Sequence, residues 1–135
     1  MIPLSSAQQR LWFLDQMEGP SATYNIPMAV RVRGDLDRDA LRGALSDVVG
    51  RHEVLRTLFP AQDGEPCQSI LPVEEIDLAL PVVSVTEDAL QGVLGELAGR
   101  TFDLARDLPV RGTLFELAPG DHVLLLVVHH IASDG

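Results

Sequence analysis

Two periods of hydrophobic positions run through the chain and predict its elements. Ser5 and Ser6 are each followed three residues on by Gln8 and Gln9, two overlapping capping-box patterns. Ala7, Leu11, Leu14 and Met17 or Glu18 then fall near helical spacing, which predicts a short amphipathic helix closed by Gly19-Pro20-Ser21. From Ile26 to Arg33 the period changes to two, and Ile26, Met28, Val30 and Val32 mark a strand with one buried face. Asp37 and Asp39 sit where a helix start favours acids, ahead of an apolar stripe of Leu41, Ala44, Leu45 and Val48. Arg56 to Phe59, Cys67 to Leu71 and Val82 to Val85 read as short strands separated by Pro, Gly and acidic turns.

Thr86 with Glu87 and Asp88 starts another helix, whose core face is Leu90, Val93, Leu94 and Leu97. Gly92, Gly95 and Gly99 in it each cost up to about 1 kcal/mol relative to Ala. They serve close packing against a neighbour or are simply tolerated, and both readings stay open. Val110 to Leu117 and His122 to Val128 are strands joined by the turn Ala118-Pro119-Gly120-Asp121. The last strand is apolar without alternation, as expected of a central strand covered on both faces. Helices and strands intermix throughout. The expected fold is α/β, an α+β sandwich, with residues 1–135 as one domain and no internal repeat.

Composition narrows the function classes. The 135 residues are 46% hydrophobic, enough for a core. Ten basic residues, all Arg, face twenty acidic ones, for a net charge of -10. An acidic chain without a basic cluster is a poor nucleic-acid binder, because phosphate contacts need basic side chains in register. The longest apolar run, Val123 to Val128, is far short of the roughly 20 residues that span a bilayer. The amino terminus does not read as a secretory signal, and a cytoplasmic location is the expectation. Cys67 stands alone, so neither a disulfide framework nor a cysteine-based metal cage is expected.

The chemistry-bearing residues gather at the carboxy-terminal His129-His130-Ile131-Ala132-Ser133-Asp134-Gly135. Successive strand side chains point to opposite faces, so one histidine should turn inward and the other toward a cleft. Three readings are open on spacing alone: a metal site, two core histidines, or acid–base catalysis by an imidazole. The opposed directions of adjacent residues argue against a shared metal, and no further His or Cys cluster completes a shell. A second segment, Arg51-His52-Glu53-Val54-Leu55-Arg56-Thr57-Leu58-Phe59, runs from a helix end into a strand. Arg51 and His52 suit a helix C-terminus and its dipole. Arg56 should lie on the strand, where a buried cation needs a partner, and Asp134 is the natural candidate.

Three segments together resemble the condensation domains of non-ribosomal peptide synthetases, in the chloramphenicol acetyltransferase-like superfamily. Ser5 through Leu14 is similar to the first core motif, S-x-A-Q-x-R-L-W-x-L; Arg51 through Phe59 to the second, R-H-E-x-L-R-T-x-F; and His129 through Gly135 to the third, H-H-x-x-x-D-G. Pro20 through Pro27 also resembles members that join an L-configured donor to an L-configured acceptor.

The resemblance implies a lobe with a mixed sheet covered by helices, the amino-terminal one of two lobes that enclose an active-site tunnel. The chain then lacks the carboxy-terminal lobe, which together with adjacent synthetase domains becomes an expected partner, and the isolated piece is expected to be inactive. His130 is implied as the catalytic residue, deprotonating or positioning the acceptor amine as it attacks a donor thioester. His129 is implied as structural, Asp134 as the partner of Arg56, and Gly135 as a point of close backbone approach, with Arg51 among the supporting residues. Ser5, Gln8, Arg10 and Trp12 would pack the lobe near the tunnel. No directly bound cofactor or metal is implied; both substrates ride on phosphopantetheine arms of donor and acceptor carrier proteins. A coenzyme A-dependent acyltransferase of the same superfamily, and a non-catalytic half-domain that only binds its partner lobe, are the competing readings.

Overall fold

The computed structural model describes residues 2–19 and 21–132. Helix α1 (Ser6–Glu18) begins with a capping box: the Ser5 hydroxyl accepts from the Gln8 amide, and the Gln8 side chain accepts from the Ser5 amide. Strand β1 (Asn25–Arg33) follows, then α2 (Arg38–Arg51), capped by the Asp37 carboxylate on the Ala40 amide. A 3-10 turn (Glu53–Arg56) leads into β2 (Thr57–Leu58), a small hairpin of β3 (Ala61–Gln62) and β4 (Glu65–Pro66), and β5 (Ser69–Ile70), which pairs back onto β2. Strand β6 (Val82–Ser84), helix α3 (Glu87–Ala98), β7 (Val110–Ala118) and β8 (Asp121–His129) complete the fold.

The main sheet has the order β1-β8-β7-β6. Only β6 and β7 are parallel, joined through α3; the other pairs are antiparallel, so the sheet is mixed. Helices cover both faces. On one face Phe115, Val123, Leu125 and Val127 meet Trp12 of α1 and Leu90, Val93, Leu94 and Leu97 of α3. On the other, Val110 and Val128 meet Leu45 and Val49 of α2 together with Leu78. This is the expected sandwich. Strand β8 lies inside the sheet and is buried along most of its length, as its unbroken apolar run predicts.

Three expectations about faces are corrected. Strand β1 is an edge strand, and the side chains expected inside remain open: Ile26 is 41%, Met28 56% and Val30 45% exposed. In α1 the buried residues are Gln8 and Trp12, one position past the expected Ala7 and Leu11, while Met17 is 82% exposed. The helix turns so that Gln8 buries the side chain that closes its cap. In α2 Val49 is the buried residue and Leu41 and Leu45 are half-buried, while Ala44 and Val48 are exposed. Gly92 and Gly95 meet nothing that an added Cβ would touch, so the close-packing reading falls and tolerance stands.

Candidate active site

Strand β8 delivers the two histidines and then ends. His129 is its last residue and His130 the first of a 3-10 turn, His130–Ala132. Their backbones are anchored from two sides: the His129 amide donates to the Pro109 carbonyl and the His130 amide to the Tyr24 carbonyl, each at 2.8 Å. The side chains part. His129 is 2% exposed, whereas His130 lies at the surface.

His129 is enclosed by aromatic rings. Phe102 meets it edge to face at 5.9 Å and Tyr24 at 6.4 Å in a tilted arrangement. Its Nδ1 accepts a hydrogen bond of 3.0 Å from the Ile131 amide. Burial, and secondarily the neighbouring His130, push its pKa down to about 4. A buried neutral imidazole with one nitrogen committed to the backbone holds a turn in place; it does not shuttle protons near pH 7. His130 is the exposed residue of the pair, on a turn whose start is held by the Pro109 and Tyr24 carbonyls.

The segments that carry the motifs converge here. Leu4 and Trp12, Phe59, and Ile131 with Ala132 belong to one buried cluster, and α1 lies against the turn that bears His130. The turn is thus packed by residues from both ends of the chain and from its middle. A groove of about 930 Å³ is lined by residues 77–79, 99–102, 106–108, 110 and 111, which do not include His130.

Arg56 lies in the 3-10 turn rather than on a strand, which corrects the expectation. Its Nε donates to the Gly50 carbonyl at 3.2 Å and its Nη1 to the Leu71 carbonyl at 2.7 Å. The fork thereby ties the end of α2 to the segment after β5. Arg51 is exposed in the last turn of α2. Asp134 and Gly135 lie outside the described residues, and with them the expected Arg56–Asp134 pair.

Sequence reasoning did not single out the residues around His129. Asn25 stands opposite it in the β1–β8 register and donates through Nδ2 to the carbonyls of Ala98 and Arg100. Arg111 of β7 stacks its guanidinium on Phe102, 3.8 Å from the ring centroid. The available signal was a polar residue at or next to the start of a strand, Asn25 heading β1 and Arg111 second in β7. No group of three or more His, Cys, Asp or Glu able to hold a metal occurs among the described residues.

Comparison with known proteins follows the same geometry. The family model described as "Condensation domain" matches residues 1–135. The chain is 58% identical over 135 residues to "Probable non-canonical nonribosomal peptide synthetase (NRPS) CymA" of Salinispora arenicola, covering all of this chain and 2% of that protein. It is 50% identical over 134 residues to a dimodular nonribosomal peptide synthase of Bacillus subtilis, covering 99% of this chain and 6% of that protein. These relatives are therefore far longer than the matched segment. Among solved structures, the X-domain from teicoplanin biosynthesis superposes with a TM-score of 0.87 at 40% identity, covering 96% of this chain and 28% of that one. The starter condensation domain of rhizomide synthetase RzmA gives a TM-score of 0.86 at 24% identity over 99% of this chain and 33% of that one, a likeness of fold.

Proposed function

Because the chain belongs to the condensation-domain family, we propose that it is the amino-terminal lobe of a domain that forms amide bonds in non-ribosomal peptide synthesis. The donor is an aminoacyl or peptidyl thioester and the acceptor the α-amine of a second aminoacyl thioester, each on the phosphopantetheine arm of a carrier protein. The amine nitrogen attacks the thioester carbon, the C–N bond forms, the C–S bond breaks, and the thiol leaves with the proton the amine gives up. His130 stands at the reacting centre and orients the amine or accepts its proton. On this reading Asp134 is the partner of Arg56 and holds the loop, and Gly135 lets the backbone approach the reacting centre closely. The reaction takes place in the cytoplasm; no helix among the described residues is long and apolar enough to cross a membrane.

The observation that carries this reading is the division of labour between adjacent histidines. His129 is buried, neutral and bonded to the Ile131 amide, while His130 is exposed on the turn so held. Magnitudes favour positioning as the main service. A general base contributes about 10²- to 10⁴-fold, whereas aligning two tethered reactants supplies roughly 7–11 kcal/mol.

A second reading is favoured by the 40% identity to the X-domain of teicoplanin biosynthesis, a domain that was also solved in a complex with OxyB. On that reading this lobe belongs to a domain whose role is to bind a partner protein.

The experiment is mass-spectrometric detection of amide from two loaded carrier proteins. It compares the 135-residue chain with a polypeptide extended through the second lobe. Amide from the extended polypeptide alone supports the proposal. Amide from the short chain overturns the two-lobed architecture, and amide from neither favours the binding reading. Acyl transfer from coenzyme A thioesters without carriers reassigns the donor.

A further inference from the structure

Behind His129 lies a layer of contacts that reaches across three strands and the turn after α3. Arg111 donates through Nη1 to the Arg100 carbonyl at 3.2 Å and through Nη2 to the Thr101 carbonyl at 2.7 Å. Asn25 donates to the Ala98 carbonyl at 3.0 Å and shares the Arg100 carbonyl at 2.7 Å. Two side chains from separate strands thus grip the carbonyls of Ala98, Arg100 and Thr101, and the segment they grip leads directly into Phe102. Phe102 touches both the Arg111 guanidinium, 3.8 Å from its ring centroid, and the His129 imidazole, in an edge arrangement at 5.9 Å. Burial lowers the pKa of Arg111 from its usual value, so keeping a cation there is costly unless its donors are used. The two carbonyls and the ring face use them.

We propose that Asn25, Phe102 and Arg111 are positioning residues for His130: they fix the place and tilt of the His129 imidazole and, through its bond from the Ile131 amide, the backbone that carries His130. The inference rests on the reading of His130 as the residue at the reacting centre. The bonded amide belongs to the residue directly after His130, so moving the His129 ring moves that peptide unit. A misplacement of about 1 Å at a reacting group costs on the order of 10²-fold in rate. Arg111 acts through two rings and one amide.

Arg111→Met keeps the aliphatic stem and removes the fork, whereas Arg111→Lys keeps the charge and loses the planar pair of donors. In the two-lobed domain both variants are expected to lower kcat for amide formation on the order of 10-fold, with KM for the carrier-bound acceptor changed by less than about twofold. Nitrogen-15 spectra of selectively labelled histidine should show His129 Nδ1 losing its hydrogen-bonded signature, and the Ile131 amide should exchange faster. A role confined to stability would leave folded molecules with the wild-type His129 spectrum and wild-type kcat, which overturns the proposal. Should the Arg111 variants fold poorly, Asn25→Ser removes two of the four bonds and is read in the same way. A wild-type domain that forms no amide sinks the functional reading. The His129 and Ile131 signals then decide the coupling by themselves: altered signals support it, and unaltered ones overturn it.

Discussion

The amide of Ile131 donates to Nδ1 of His129 across 3.0 Å. That nitrogen therefore presents a lone pair, and the ring carries its proton on Nε2. An imidazolium has donors at both nitrogens, so protonation sets two N–H groups against each other at the turn that bears His130. Burial opposes the same protonation. Geometry and solvation thus agree on a neutral ring.

Stability should consequently fall as the pH drops from about 6.5 to about 4. The unfolded chain binds a proton at His129 near pH 6.5, while the folded ring holds out until about 4. Between those values the unfolded state binds more protons, so stability rises with pH across the window, is complete above it, and stops changing from this source below it. The expected loss is on the order of 2 kcal/mol. Urea midpoints at pH 7, 5.5 and 4 for wild type and His129→Gln check it, the variant showing the shallower dependence because only this titration is removed. A His129 pKa near 6.5 by NMR refutes the account.

Replacing His130 separates chemistry from alignment. In the two-lobed domain His130→Ala is expected to slow single-turnover amide formation by about 10²- to 10⁴-fold and still leave measurable product. The residual rate comes from holding an activated thioester and an amine in line, which this substitution does not touch. An unchanged rate means that His130 takes no part in the step.

Legibility in the sequence followed the length and period of each signal. Helix α3 was readable because Thr86 caps it on the Ala89 amide and Leu90, Val93, Leu94 and Leu97 keep one face over three turns. The β7–β8 hairpin was readable from its turn and from an apolar run that only an inner strand tolerates. The face of β1 was misread because Ile26, Met28 and Val30 alternate in the same way whether or not anything covers them. Asp63-Gly64, both with positive φ, was a legible hairpin signal that passed unused, and β3 and β4 flank it. At the site, strand alternation anticipates the parting of His129 and His130, although the strand ends at His129 and His130 opens a 3-10 turn. It does not anticipate the roles of Asn25 and Arg111, since their bonds go to carbonyls 73 to 75 and 10 to 11 residues away in the chain, and no side-chain pattern encodes a carbonyl.

Edge strand β1 is held by a charge cluster that salt should loosen. Arg31 donates Nε and Nη2 to the two oxygens of Asp121 at 2.8 and 2.7 Å, and reaches Glu87 at the start of α3 at 2.9 and 3.1 Å. Hydrogen bonds from Arg31 hold both carboxyls below their usual range, so their contribution is present above the unfolded carboxylate pKa and is lost as pH falls through the depressed values. Arg31→Gln is expected to lower Tm at low ionic strength and to speed amide exchange along β1. The difference should shrink in about 1 M salt, where screening acts within about 3 Å. A difference that salt does not alter assigns the effect to packing of the Arg31 stem instead.

Glycines offer the opposite experiment, a gain. Gly92 and Gly95 lie inside α3, and a Cβ added to either meets no atom within 4 Å. Alanine there reduces the conformational freedom of the unfolded chain and meets no clash in the folded one. Gly92→Ala and Gly95→Ala should each raise stability by up to about 1 kcal/mol, read as higher urea midpoints with an unchanged slope. Gly112 is the contrasting case: a Cβ there comes within 3.2 Å of Leu80 Cδ1 and 3.3 Å of Leu126 Cδ2, so Gly112→Ala must displace side chains on the sheet and should lose stability. Gains at all three positions would show that Leu80 and Leu126 yield freely; losses at Gly92 or Gly95 would show that α3 packs against something on its open side.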